Sequence, residues 1–219
     1  LGAYRDSVAC YNTSGGFLHT PLEQLLVNAA ASRERGIGGI KLKVGQPDRA
    51  LDLKRVEAVR KQLGDDAPLM VDANQQWDRP AAQRMCRAFE DFNLVWIEEP
   101  LDAYDHEGHA ALAAQFDTPI ATGEMLTSAA EHGELIRHRA ADYLMPDAPR
   151  VGGITPFLKI AAQAERAGMM LGPHFAMELH VHLGAVYPTE PCVEHFDWLE
   201  PLFNERLEIK GGRMLVPPR

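Results

Sequence analysis

Three carboxylates recur in step along this sequence. Asp72, Glu98 and Glu124 each close a short apolar run, in VDANQQW, VWIEEPL and PIATGEM, and the step from one to the next is 26 residues both times. Runs rich in Val and Ile read as buried strands. A step of that length holds a strand, a loop, a helix and a return loop, so successive strands are expected to be parallel. Three acids at the ends of three adjacent parallel strands point at one place. They repel one another there, and a bound divalent cation relieves that repulsion. The ligands are all hard oxygens without Cys or His, which favours Mg2+ or Mn2+ over Zn2+. Any one of these acids could instead cap its following helix or pair with a surface lysine; three in phase argue for the metal.

A second group can move protons. In GIGGIKLKVG, Lys41 and Lys43 alternate with Ile40, Leu42 and Val44, which puts both lysines on one face of a strand. If the apolar face meets surrounding helices, the lysines point inward, where a buried ammonium needs an anion. The alternative is an edge strand with solvated lysines. His174 closes MMLGPH, Asp147 closes DYLMPD, and Glu194 lies in EPCVEHF. Around a ring of strands, Lys43 and His174 face each other across the acids, a layout for acid–base chemistry on two sides of one carbon skeleton. Removing a proton next to a carboxylate creates an enediolate dianion, whose charge a divalent cation offsets. Repulsion from Lys41 is expected to lower the pKa of Lys43, and Asp147 is expected to hydrogen-bond His174 and fix its tautomer. His106 and His109 are three residues apart with no third ligand near, and read as a solvated helix face.

The elements that must position these groups repeat as strand then helix. A first strand at Val8–Tyr11 precedes a helix opened by Thr20-Pro21. The lysine strand is followed by an amphipathic helix from Pro47 to Leu63 that Gly64 closes. Further helices are expected from Asp78-Arg79-Pro80, through HEGHAALAAQF, from Ser128 to the basic IRHR, from Thr155-Pro156 to Gly168, and over AMELHVHLGAVY, with an eighth strand near Glu190–Phe196. The remaining acid-to-acid and acid-to-histidine steps are 23 residues from Glu124 to Asp147, 27 to His174 and 20 to Glu194. Eight such units, with every polar group at a strand's C-terminal end, predict an α/β fold of the (β/α)8 TIM-barrel type. The rival doubly wound sheet calls for GxGxxG after its first strand, and NTSGG lacks it.

Bulk properties narrow the class. With 219 residues, 46% of them hydrophobic, the chain can bury a large core, and no apolar run approaches the roughly 18 residues that span a bilayer. A net charge of −9 argues against nucleic acid as partner. Cys10, Cys86 and Cys192 are odd in number and lack CxxC spacing, as in a reducing compartment, so a cytoplasmic enzyme of small molecules is expected, with no membrane partner. The sequence looks cut at both ends, so residues 1–219 are read as one truncated catalytic barrel domain.

Lys41-Leu42-Lys43, Asp72 with Asn74, Glu98-Glu99-Pro100, Gly123-Glu124, Pro146-Asp147 with Gly152-Gly153, and His174 together resemble the successive motifs of the mandelate racemase group of the enolase superfamily. CYNTSGGFLHTP, PHFAMELHVHLGAVYP and EHFDWLEPLFNERLEI further resemble the acid-sugar dehydratases of that group. The resemblance implies that Asp72, Glu98 and Glu124 bind Mg2+ with Glu99 behind them, that Lys43 is the base, and that Lys41 contacts the substrate carboxylate. It also implies that His174, supported by Asp147, is the partner acid, that Glu194 hydrogen-bonds the substrate carboxylate, and that Asn74 adds a polar substrate contact. The implied activity is a hydro-lyase converting a six-carbon diacid such as galactarate or L-talarate to a 2-keto-3-deoxy acid. A racemase, epimerase or cycloisomerase of the same superfamily is the alternative, and a metal-binding barrel without catalysis another; a Schiff-base aldolase leaves the acids unexplained. Members of the group carry an N-terminal capping domain, expected here to be absent, and form homo-oligomers.

Overall fold

The computed structural model describes residues 2–218. Its strands are β1 (Ser7–Asn12), β2 (Gly39–Lys43), β3 (Leu69–Asp72), β4 (Ile97–Glu98), β5 (Ile120–Thr122), β6 (Tyr143–Leu144), β7 (Met170–Leu171) and β8 (Cys192–His195). Between them run α1 (Leu22–Glu34), α2 (Arg49–Leu63), α3 (Arg79–Phe89), α4 (His106–Gln115), α5 (Ala129–His138), α6 (Ile154–Arg166) and α7 (Met177–Ala185). The alternation and the expected barrel are both present. Parallel ladders join β8 to β1 and then each strand in turn to β7.

Strand alternation sorts the side chains. Along β2 and β3, Ile40, Leu42, Leu69 and Val71 turn outward and pack with Leu25 of α1, Val56 and Val59 of α2 and Met85 of α3. The intervening positions turn inward, so Met70 joins Tyr11, Trp96, Ala121 and Met145 in an apolar floor inside the barrel. Register then fixes the polar layer above it: Lys43 lies opposite Asp72, Asp72 opposite Glu98, and Tyr11 opposite Glu194.

Helix starts follow from side-chain caps. Asp48, Asp78, Asp105 and Ser128 each accept a backbone N–H from the first turn of α2, α3, α4 and α5. Gly64 ends α2 at φ 82°, a left-handed position that suits glycine.

Two features were not expected from the sequence. The C-terminal stretch forms a hairpin, β9 (Ile209–Lys210) with β10 (Arg213–Leu215), and β10 pairs antiparallel with the first half of β1. It approaches so closely that a Cβ on Gly38 would meet the Gly212 carbonyl at 2.7 Å. The second concerns His109, which is buried with Nδ1 3.0 Å from the Asp105 carbonyl, not solvated; α4 lies closer to the core than its polar composition suggests. Cys10, Cys86 and Cys192 are free thiols, and among the described residues no helix is long and apolar enough to cross a membrane.

The loop that follows Lys43 is pinned by one buried acid. Asp52 Oδ2 accepts the N–H groups of Gly45 at 2.8 Å and Gln46 at 2.9 Å. Asp52→Ala strands both donors and is expected to lower stability by about 1–3 kcal/mol. Urea unfolding checks this, and an unchanged midpoint and slope would refute it.

Candidate active site

The C-terminal ends of the strands bring the separated acids together. One oxygen each from Asp72, Glu98 and Glu124 lies within 4.8 Å of the others, and all three residues are buried. Glu124 Oε2 has no hydrogen-bond partner, although His174 Nε2 approaches it to 3.5 Å, an electrostatic contact too long for a hydrogen bond. A buried, unpartnered carboxylate oxygen beside two more acids is a cation's environment, and the all-oxygen donor set fits Mg2+. These three residues would hold it.

Lys41, only 1% exposed, stands at the centre of the acids. Its Nζ lies 2.6 Å from Glu98 Oε1, 2.8 Å from Glu194 Oε1 and 3.5 Å from Asp72 Oδ2. Burial opposes its charge, yet Glu194, Glu98 and Asp72 hold its pKa well above the ordinary lysine value. Glu98, its nearest partner, is also pushed well above the usual carboxylate range, by burial and by the charges of Asp72 and Glu124. Both partners of one ion pair therefore shift upward. The reason is an excess of acid: Asp72, Glu98, Glu99, Glu124, Asp147 and Glu194 share this end of the barrel with Lys41 and Lys43. We take Lys41 as charged, because several carboxylates surround one ammonium.

Lys43 departs from expectation. Its ammonium pairs with Asp72 Oδ2, and although burial and Lys41 both work to lower its pKa, Asp72 raises it above the ordinary value. Repulsion from Lys41 is present and is outweighed by a contact carboxylate. Asp72 in turn is pulled down to about 2 against the effect of burial, chiefly by Lys43 and Lys41. Opposite stands the histidine, its Nδ1 2.8 Å from Asp147 Oδ2. Burial works against Asp147's charge, but that bond and the Arg150 N–H lower its pKa. With Nδ1 engaged, Nε2 is left facing the acids.

Two further site residues make contacts within the protein. Asn74 meets Asp72 through its backbone, donating N–H to Oδ1 at 2.8 Å from a left-handed φ of 41°. Both oxygens of Glu194 are already engaged: Oε1 accepts from Thr13 Oγ1 at 2.6 Å and from Lys41, and Oε2 accepts from the Phe175 N–H at 3.0 Å. Its pKa falls to about 2 despite burial, drawn down first by Lys41, so it acts here as an acceptor that holds its neighbours. Glu99 is buried behind the ligand set, with Gln75 Nε2 3.0 Å from its Oε2.

Some contributors escaped the sequence reading. Thr13 holds Glu194, and Trp96 Nε1 donates to Glu98 Oε2 at 2.9 Å. A cavity of about 560 Å3 opens over the site between Lys43, Asp147 and His174 on one side and Phe17, Phe175 and Trp198 on the other. A larger groove of about 1000 Å3 lies at the opposite end of the barrel, near Asp117, Asp142 and Gly168, where strands begin, away from the cluster of Asp72, Glu98 and Glu124.

Comparison with known proteins gives consistent matches. Residues 24–219 match the family model described as enolase C-terminal domain-like. The chain is 68% identical over 219 residues to the L-talarate/galactarate dehydratase of Salmonella typhimurium, covering 100% of this chain and 55% of that protein. It is 36% identical to a 3,6-anhydro-alpha-L-galactonate cycloisomerase of Streptomyces coelicolor, covering 100% of this chain and 61% of the relative. The crystal structure of L-talarate dehydratase from Polaromonas sp. JS666, complexed with Mg and L-glucarate, superposes with a TM-score of 0.96 at 85% identity, over 98% of this chain and 60% of that one. The chain thus spans little more than half the length of these relatives.

The acid excess predicts a pH signature. Burial, with Glu124 and Asp72, raises the Glu99 pKa to about 8. A carboxyl raised in the fold costs stability once the unfolded chain ionises, and the cost grows from about pH 4.5 until it is complete above about pH 8, at roughly 1.4 kcal/mol per unit of difference. Glu99→Gln removes it. In chelator, the variant is expected to match the wild type near pH 4 and to exceed it by an increasing margin up to pH 8. Thermal melts across that range check this, and a constant or shrinking margin contradicts it.

Proposed function

The chain belongs to the enolase C-terminal domain-like family, and from that premise we propose that its barrel carries the site of a Mg2+-dependent acid-sugar dehydratase. The substrate is a six-carbon diacid such as galactarate or L-talarate, and the product a 2-keto-3-deoxy acid. The observation that carries the reading is the opposition of Lys43 and the Asp147–His174 pair across the carboxylates of Asp72, Glu98 and Glu124.

When bound among those acids, Mg2+ supplies positive charge at the substrate carboxylate, where electrons accumulate as the α-proton leaves. The residues do the rest. Lys41, charged and fixed by Glu98 and Glu194, offers a second cation to the same carboxylate. Lys43 takes the α-proton from one side; as paired with Asp72 it is an ammonium, so it must first give up a proton to become the base. His174 works from the other side. Asp147 binds Nδ1, so the proton that His174 delivers sits on Nε2. Passing it to the 3-hydroxyl lets the C3–O bond break with loss of water, while the pair from the broken α C–H bond forms the C2–C3 double bond. The resulting enol becomes the keto acid. Phe17, Phe175 and Trp198 line the cavity and limit water there.

The test follows the α-proton. With Mg2+ and galactarate or L-talarate in D2O, the wild type is expected to exchange the α-proton by NMR and to form a keto acid that semicarbazide traps. Lys43→Ala is expected to reduce both by about 100-fold or more, and His174→Asn to lose keto acid while keeping exchange. Exchange with epimerised diacid and no keto acid would replace the dehydratase by an epimerase. Full activity in Lys43→Ala would overturn the assignment.

A further inference from the structure

We propose that Trp96 is a positioning residue for the cation site: its indole N–H orients the Glu98 carboxylate and thereby sets the affinity for Mg2+. The inference rests on the metal site of the proposed function and adds to it a residue outside the acid triad. Trp96 stands just before β4 and two residues before Glu98, so in this extended stretch both side chains project into the barrel, Trp96 among the inner cluster of Tyr11, Met70, Ala121 and Met145. The indole is 0% exposed. It is gripped by two tyrosines, with ring centroids 5.3 Å from Tyr11 at an edge-on angle and 4.9 Å from Tyr143. Held in that way, it aims Nε1 at Glu98 Oε2 from 2.9 Å.

The other oxygen of Glu98 accepts from Lys41 at 2.6 Å, so donors at both ends fix the twist of the carboxylate. The two donors differ in kind. Lys41 and Lys43 are cations and compete with a metal for the oxygens they touch. An indole N–H is a neutral donor that accepts nothing, so it can keep its bond to a carboxylate that also holds a dication. Asp72 has such a neutral donor in the Asn74 backbone N–H. Among the described residues, Trp96 is the side chain that does this for the triad. Loss of a partner that orients a metal ligand costs about 10–100-fold in metal affinity.

Trp96→Phe keeps an aromatic ring in the floor and removes the donor. Calorimetric titration of Mg2+ into the whole chain is expected to give a dissociation constant about 10–100-fold above wild type. A value within twofold of wild type overturns the inference. So does a fall in the melting temperature in chelator with unchanged Mg2+ affinity, because Trp96 is then only a filler. A second measurement needs no variant: in the 15N-labelled wild type, the Trp96 indole N–H is expected to be protected from exchange and to shift as Mg2+ saturates, and a fast-exchanging resonance indifferent to Mg2+ counts against the role. A wild-type chain that binds no Mg2+ overturns the metal site itself, whereas wild-type binding with an indifferent Trp96 overturns this inference alone.

Discussion

Too many carboxylates share one end of the barrel, and the architecture there answers that repulsion. Burying like charges is tolerable only where cations and donors stand between them. Lys41 is the main one, reaching Glu98, Glu194 and Asp72 from a strand on which its neighbours Ile40 and Leu42 face the helices. That position requires a strand of alternating character, in register with β3, inside a closed wall of helices. A one-residue slip of β2 would turn both lysines into the apolar layer and leave the acids unbalanced. The same register that packs the core therefore balances the site.

The legible parts were those written as periodicity. Acids at equal steps announced parallel strands, and alternation around Lys41 and Lys43 announced which face they share, and both appear in the ladders. What the sequence hid depended on contacts between distant strands. Thr13 meets Glu194 across the β1–β8 pairing, 181 residues away in sequence. Trp96 carried a readable signal, since i and i+2 on a strand share a face, but VWIEEPL also reads as a plain apolar run in which an indole needs no partner. The Lys43 shift ran opposite to expectation because a neighbour in sequence is conspicuous whereas the carboxylate opposite in register, Asp72, acts at contact distance. The β9–β10 hairpin was missed because LEIKGGRMLV is short and its strands gain burial only through tertiary contacts, with β1 and with residues such as Ile37 and Val181.

Glu194 ties the lysine strand and the histidine turn of the site together. One oxygen holds Lys41 at 2.8 Å; the other accepts the N–H of Phe175, the residue after His174, at 3.0 Å. Phe175 has a φ of 70°, a left-handed conformation unfavourable for an aromatic residue, so the turn needs an external hold. That hold comes from the same carboxylate that fixes Lys41, and Thr13 fixes the carboxylate. Movement of Glu194 would displace Lys41 on one side and the backbone carrying His174 on the other. The proposed acid–base chemistry on two faces of one molecule tolerates little misplacement. A single buried acid bonded to both sides keeps the lysine strand and the histidine turn in a common frame, although they lie on different strands.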